Sequence, residues 1–234
     1  AGTCLHTMFE LWDFNVDDQA GLQHLVTRTL SQYGFEQRWQ PVVCQWLTEI
    51  VNTRFSADSD FCLASLQPAQ RLDEMSFYFP VAQLSVTKLK QQLLPHLNDG
   101  DVLQTLMAQL DFYDLTGFMK GFIDLVYEDQ GRFYVVDYKS NFLGYVADDY
   151  DVSALDEAML SHAYPLQYLI YSLALHRYLR LRVPDYDPDL HFGGVYYLFL
   201  RGMHPEWGQS GVYADRPSAT LLDALDALLQ GNES

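Results

Sequence analysis

The segment 117–141, with the sequence GFMKGFIDLVYEDQGRFYVVDYKSN, constrains the fold of this chain most strongly. It contains two runs rich in β-branched and aromatic residues, 122–127 and 133–138, separated by the polar sequence Glu-Asp-Gln-Gly-Arg. Such runs favour β-strands, and a short polar segment with a glycine favours a turn. The sequence therefore predicts a β-hairpin, around which the rest of the chain is arranged.

Each strand of the predicted hairpin carries one aspartate. If Glu128 pairs with Phe133 across a four-residue loop, Asp124 lies directly opposite Asp137, with Cβ atoms about 4.5 to 5.5 Å apart. Lys139 shares the face of Asp137, because side chains alternate with a period of two along a strand. The neighbours expected on that face are apolar: Phe122, Val126 and Val135.

Two carboxylates that face each other among apolar side chains destabilise a fold, because like charges repel and burial disfavours charge. Protonation of one group, or a cation between the two, relieves the repulsion. We interpret Asp124 and Asp137 as ligands of a divalent metal ion, with Lys139 beside it. The alternative is a pair of solvated charges at a strand edge, which is common on protein surfaces.

The scarcity of lysine favours the functional interpretation. Among the lysines of the chain, only Lys139 follows an aspartate by two residues at the end of an apolar strand. The four lysines are Lys88, Lys90, Lys120 and Lys139.

Length and composition exclude several classes of protein. The chain has 234 residues, of which 49% are hydrophobic, and is long enough to bury a substantial core. Its 14 basic and 31 acidic residues give a net charge of -17, which argues against a free-standing nucleic-acid binder. Any DNA would therefore have to be delivered by another component. No run reaches the roughly 18 to 20 apolar residues that cross a bilayer, so we expect a cytoplasmic protein without a membrane partner.

The cysteines give no sign of a disulfide framework, a zinc site or an iron–sulfur cluster. They are odd in number, far apart and in no Cys-x-x-Cys arrangement. We expect the three thiols, Cys4, Cys44 and Cys62, to be reduced and buried.

Apolar spacing predicts an α/β fold with several helices. A strand is predicted over 71–79, ended by Pro80, and a second over 191–201, whose aromatic and apolar run is typical of a buried strand paired in parallel. The predicted helices are 3–14 with Thr3 as N-cap, one closed by Gly34, one with an apolar stripe along 39–51, then 84–94, 102–110, one that begins near Ser153, 166–182 and 218–230.

Other polar residues have two interpretations from the sequence alone. His6 and Glu10 lie four apart on one helix face, as do Gln167 and Tyr171 on another. A lone histidine, or a pair of polar residues beside the apolar face of a helix, usually has only a structural role. Glu74 approaches the hairpin carboxylates if its strand is adjacent to the hairpin, and is otherwise an edge glutamate.

The combined pattern resembles the restriction-endonuclease-like PD-(D/E)xK nuclease superfamily. An aspartate and then Asp-x-Lys lie on a hairpin, preceded by a helix with a polar residue and followed by a helix with Gln-x-x-x-Tyr. Five segments are similar, more narrowly, to RecB-type nuclease domains of exodeoxyribonuclease V complexes, and the similarity spans nearly the whole chain. They are GTCLHTMFE, GFIDLVY, VVDYKSNFLG, YPLQYLIYSLALHRYL and HFGGVYYLFLRGM.

The resemblance implies a fold and a set of site residues. The fold is a restriction-endonuclease-like core, a central mixed β-sheet flanked by helices, with extra N-terminal helices. The implied metal ligands are His6, Asp124, Asp137 and the main-chain carbonyl of Tyr138. Lys139 is the implied catalytic lysine. The remaining candidates are Gln167 and Tyr171 for DNA binding, and Glu10 and Glu74 for an outer layer of the site.

The resemblance also implies a reaction and partners. We expect a single nuclease domain, 1–234, from a larger helicase-nuclease subunit that hydrolyses single-stranded DNA during double-strand break repair and recombination. Mg²⁺ is the expected cofactor, Mn²⁺ substitutes, and Ca²⁺ binds with little activity. The expected partners are RecC-like and RecD-like subunits and a RecA-like recombinase. The alternatives are a catalytically vestigial docking module and a structural Ca²⁺ site.

Overall fold

The predicted hairpin forms the centre of a mixed β-sheet. The structure, a computed structural model, describes residues 1–231, so positions 232–234 of the predicted domain lie outside the described residues. Within that range five strands follow one another in chain order across the sheet; only the third and fourth are parallel, and the other pairs are antiparallel. The strands are β1 (Arg71–Leu84), β2 (Leu115–Asp129), β3 (Arg132–Lys139), β4 (Phe192–Phe199) and β5 (Val212–Asp215).

Helices cover both faces of this sheet. On one face, β3 residue Val135 packs in a core with the middle and C-terminal helices, whereas its neighbour Val136 packs on the other face with the N-terminal helices. This confirms the expected α/β fold with a central mixed sheet and N-terminal helices. The helices are α1 (Gly2–Leu11), α2 (Gln19–Gln32), α3 (Gln40–Val51), α4 (Val86–Leu93), α5 (Val102–Gln109), α6 (Val152–Ser161), α7 (Tyr164–Arg182), α8 (Pro188–His191) and α9 (Ala219–Gln230).

The register of the hairpin is as predicted, and its turn is shorter. Glu128 pairs with Phe133. One further pair, Asp129 with Arg132, leaves a two-residue turn whose residues both have positive φ, 51° at Gln130 and 80° at Gly131. Two residues with positive φ suit the right-handed twist of the flanking strands, and glycine adopts this backbone without strain.

Three expectations about the elements are wrong. Pro80 does not end β1, which continues to Leu84; β1 lies at the edge of the sheet, where the missing N–H of a proline is tolerated. Helix α1 ends at Leu11 rather than at residue 14, and its N-cap is Ala1 rather than Thr3. The chain turns extended at Trp12, and the side chain of that residue enters the N-terminal core.

The apolar stripe predicted along 39–51 is not all core. Trp39, which precedes α3, is 47% exposed, and Val42 is 59% exposed because only part of the apolar surface of α3 is buried. Strand β5 was not predicted, since its four residues, Val212–Asp215, are too few to show an alternating pattern. Within the described residues no helix combines the length and the apolar character needed to cross a membrane.

A buried carboxylate joins α7 to α9. Asp226 accepts hydrogen bonds from Arg177 Nε at 2.7 Å and from Arg180 Nη1 at 2.9 Å. Burial favours the neutral acid, but hydrogen bonds from Gln230 and Arg177 and the nearby arginine charges outweigh it and lower the pKa of Asp226. Asp226 therefore stabilises the fold as a carboxylate.

We expect Asp226→Asn to reduce the free energy of unfolding by about 1 to 3 kcal/mol at pH 7. Because the pKa of Asp226 is lower in the folded state, its contribution is present at neutral pH and is lost as the pH falls through that pKa. The difference between variant and parent should therefore shrink in acid. Urea unfolding at several pH values measures it, with the exposed Asp111→Asn as control. A difference that is constant with pH would contradict this account.

Candidate active site

The regular hydrogen bonding of the hairpin ends beside the two aspartates. The last regular pair of β2 and β3 is Leu125 with Val136. Two residues beyond Val136, the main-chain N–H of Tyr138 donates to Asp124 Oδ2 at 2.8 Å, where a regular ladder would use a main-chain carbonyl. This bond fixes the carboxylate of Asp124 next to β3 and brings it near Asp137.

Asp137 and Lys139 form a buried ion pair, with 2% and 8% of their surfaces exposed. Lys139 Nζ donates to Asp137 Oδ1 at 3.0 Å and lies 2.7 Å from Oδ2, which is buried and accepts no hydrogen bond. Burial and the negative charge of Asp124 raise the pKa of the Asp137 carboxyl group, and Lys139 offsets this only in part. The structure therefore shows both unfavourable effects expected from the sequence, the repulsion between the two aspartates and the burial of their charge.

Two tyrosines that sequence reasoning missed hold Lys139 in place. Its Nζ lies 3.9 Å from the ring centroid of Tyr164 and 4.9 Å from that of Tyr197, distances at which a cation is attracted to an aromatic face. Tyr197 lies on β4 directly beside Asp137. Only the parallel pairing of β3 with β4 brings it there. A signal for Tyr164 is its position three residues before Gln167 on α7.

Gln167 and Tyr171 share the face of α7 that meets Lys139. Gln167 Oε1 accepts from Lys139 Nζ at 3.0 Å and from Tyr197 Oη at 3.1 Å, and Gln167 Nε2 donates to Tyr171 Oη at 2.8 Å. This network fixes the position of the ammonium group. The structure thus brings the Gln-x-x-x-Tyr element to the lysine, although DNA binding by these residues stays a prediction.

Helix α1 brings His6 to Asp124. His6 Nδ1 lies 3.3 Å from Asp124 Oδ2, and the helix is held against β3 by Phe9, whose ring stacks on that of Tyr138 with centroids 4.4 Å apart. The hydrogen bond to Asp124 raises the pKa of His6, although burial opposes this shift. A lone histidine gives no local signal of such a role.

Glu74 lies on β1 beside Asp124 and distorts the strand. Its neighbours pair regularly, Asp73 with Leu125 and Met75 with Ile123, but Glu74 itself has a φ of 51°, which is strained for this residue type. Burial and then the charges of Asp124 and Glu10 raise its pKa. Glu74 and Glu10 therefore belong to the same acidic cluster as Asp124.

The irregular backbone here corrects one expectation. Phe122 does not share the apolar face of Val126 and Val135; it is 58% exposed, and Ile123 packs in that core instead. The alternation of side chains shifts where Glu74 and Asp124 interrupt the regular pairing of β1 with β2.

The geometry does not yet form a complete metal site. Among residues 1–231, no three His, Cys, Asp or Glu side chains are grouped so that they surround a single ion. Asp124 instead contacts His6 and Tyr138 N–H, and Asp137 pairs with Lys139. The side chains present nevertheless fit a hard divalent cation, since the neighbouring donors are carboxylate oxygens and an imidazole nitrogen, and the buried Asp137 Oδ2 contacts a single group, the Lys139 ammonium.

The fold and this acidic cluster with its lysine define the class of the protein. The PD-(D/E)XK nuclease superfamily matches residues 1–231, and the chain belongs to this superfamily.

The more specific resemblance to RecB-type nuclease domains is also confirmed. The chain is 40% identical over 230 residues to RecBCD enzyme subunit RecB of Escherichia coli (strain K12), a match that covers 98% of the chain and 19% of that protein. It is 39% identical over 228 residues to RecBCD enzyme subunit RecB of Haemophilus influenzae, covering 97% of the chain and 18% of the relative. The chain therefore spans about a fifth of the length of these relatives.

We expect Asp124→Asn to be at least as stable as the parent and Asp124→Ala to be less stable than Asp124→Asn by about 1 to 3 kcal/mol. An asparagine oxygen still accepts the Tyr138 N–H and also relieves the repulsion with Asp137, whereas alanine leaves the N–H without an acceptor. Chemical unfolding of both variants measures the difference. Equal stability of the two variants would show that this hydrogen bond does not matter.

Proposed function

We propose that this chain is the nuclease domain of a RecBCD-type enzyme and hydrolyses phosphodiester bonds of single-stranded DNA with the help of a divalent metal ion. The observation that carries the proposal is the buried Asp137–Lys139 pair, held beside Asp124 and tied to Gln167 by a 3.0 Å hydrogen bond. A surface ion pair would need no such enclosure. The identity to RecB over 98% of the chain supports the same conclusion.

His6, Asp124, Asp137 and the main-chain carbonyl of Tyr138 would hold the cation. Mg²⁺ suits these ligands, Mn²⁺ should replace it, and Ca²⁺ should bind with little activity. When bound, the cation polarises a phosphoryl oxygen and lowers the pKa of a water molecule.

Lys139 performs the positioning step of the reaction. Gln167 Oε1 and the Tyr164 ring hold its Nζ in one place, so the ammonium can donate a hydrogen bond that orients the attacking water. The same positive charge stabilises the negative charge that builds up on the phosphoryl oxygens in the transition state. Gln167 and Tyr171 line the approach to this ammonium and contact the DNA strand.

The net charge of -17 implies that other chains deliver the substrate. The relatives are subunits of RecBCD enzymes, and we propose that RecC-like and RecD-like subunits bring single strands to this site during double-strand break repair and recombination. Assistance to a RecA-like recombinase and a location in the cytoplasm stay predictions. A vestigial docking module is less favoured, since Asp124, Asp137 and Lys139 are all present.

We expect Asp137→Ala to abolish Mg²⁺-dependent cleavage of single-stranded DNA, and Lys139→Ala to lower kcat by about 100- to 10,000-fold. Asp137 is a proposed metal ligand, whereas Lys139 acts on the water, so calorimetry should show metal binding lost in the first variant and retained in the second. Lys88→Ala removes a lysine on α4 and serves as control. Retained Mg²⁺-dependent cleavage by a folded Asp137→Ala variant would refute the proposed site.

We expect single-stranded DNA to bind this chain weakly and with a shallow salt dependence. Each neutralised phosphate contributes about -0.7 to the slope of log K against log salt for single strands, and the acidic surface neutralises few of them, so the slope should be no steeper than about -2. Fluorescence anisotropy over a range of salt concentrations measures it. A slope several times steeper would mean that the chain has an extended basic DNA path of its own.

A further inference from the structure

Strands β1 and β2 continue past β3 as a two-stranded arm. Regular pairs run along the arm from Met75–Ile123 to Val81–Gly117, and one more pair, Leu84–Leu115, follows a shift in register, whereas the pairing of β2 with β3 begins only at Leu125. One face of the arm is buried: Phe79, Val81 and Ile123 belong to the core formed with α4, α7 and α9. The opposite face is exposed, because the N-terminal helices cover only the part of the sheet in which β2 pairs with β3.

The exposed face of the arm carries aromatic side chains around one lysine. Phe118 and Tyr78 are each 65% exposed, and their rings stack with centroids 4.9 Å apart and an interplanar angle of 8°. Phe122 is 58% exposed, and Lys120, also exposed, pairs with Tyr78 across the strands. We call these four residues the arm platform. Single exposed apolar side chains are ordinary, but three aromatic residues on one face are a recognisable surface.

The arm platform is continuous with the candidate active site in two ways. Phe122 precedes Asp124 by two residues on β2. In addition, Lys120 borders a groove of about 330 Å³ that lies on the other face of the arm, between the arm and α7, and whose far wall includes Gln167 and Tyr171. Because β3 does not pair with this part of β2, a DNA strand that passes around the free edge of β2 reaches this groove and Gln167, which binds Lys139 directly.

We propose that the arm platform binds single-stranded DNA next to the site of cleavage, an inference that rests on the proposed nuclease function. Bases stack on the rings of Phe118 and Phe122, and Lys120 between them contacts a phosphate. Aromatic side chains accept any base because every base has a π-face, so stacking on the arm platform would not select a sequence. Phe118, Lys120 and Phe122 occupy every second position of β2. Neighbouring members of this row are therefore about 6.7 Å apart, the length of two residues in a strand.

The lysine distinguishes this surface from a protein-docking surface. Lysine is depleted in the cores of protein–protein interfaces, whereas it is a common phosphate ligand in nucleic-acid sites. Apart from Lys139 at the candidate site, Lys120 is the only lysine on β1, β2 or β3. A positive charge at the centre of the aromatic face therefore favours a polyanionic strand as the occupant.

The test uses Phe118→Ala, Phe122→Ala and Lys120→Gln in this chain, with binding of a fluorescent oligodeoxythymidine measured by anisotropy at low salt in EDTA. Each aromatic substitution should weaken binding about fivefold or more. The matched controls are Tyr178→Ala, which removes a partly exposed aromatic residue further along α7, and Lys88→Gln, which removes the same charge; both should bind as the parent does. Photocrosslinking with an iodouracil-substituted strand should label the arm platform.

Measuring binding without a divalent ion separates this inference from the proposed function. If the parent chain cleaves DNA with Mg²⁺ but the arm variants bind the oligonucleotide as well as the parent does, the inference is overturned and the nuclease function stands. If the variants lose binding while no divalent ion supports cleavage by the parent, the arm platform stands as a nucleic-acid surface. Two further results would each overturn the inference: no measurable binding by the parent chain, or crosslinks that fall outside the arm platform.

Discussion

The structure depends on one hydrogen bond, from the main-chain N–H of Tyr138 to the carboxylate of Asp124. This bond replaces a rung of the hairpin ladder, so β2 and β3 stay together while a negative charge enters the space between them. That charge, with burial, raises the pKa of Asp137 and makes Lys139 a necessary neighbour. Without a counter-charge, two carboxylates at this place would separate the strands.

The remaining elements converge on this point from both faces of the sheet. Helix α1 contributes His6 from one side, and α7 contributes Gln167 and Tyr171 from the other. The site is therefore assembled from distant parts of the chain around a hairpin that is local. This explains why the buried charges are tolerated: Asp137 pairs with Lys139 on its own strand, Asp124 meets His6 from α1, and Lys139 also meets Gln167 from α7.

The sequence predicts the local part of this arrangement and not the part that arises from packing. Strand propensity and a period of two predict the hairpin, its register, and the shared face of Asp137 and Lys139. The exchange of Phe122 for Ile123 in the core occurs beside the interruption of β1–β2 pairing at Glu74 and Asp124, which no pattern in the sequence indicates. The contacts of Tyr164 and Tyr197 with Lys139 depend in the same way on strand order and helix placement. His6 was identified only through the resemblance to a known family.

The central proposal is that Asp124 and Asp137 would bind one common divalent ion, with His6 beside Asp124 as a further ligand. Crystals of this chain grown with Mn²⁺ test it directly through anomalous diffraction. The account predicts one anomalous peak about 2.0 to 2.6 Å from a carboxylate oxygen of each aspartate. A peak bound by only one of the two aspartates, or an ordered site without any peak at saturating Mn²⁺, would contradict the claim.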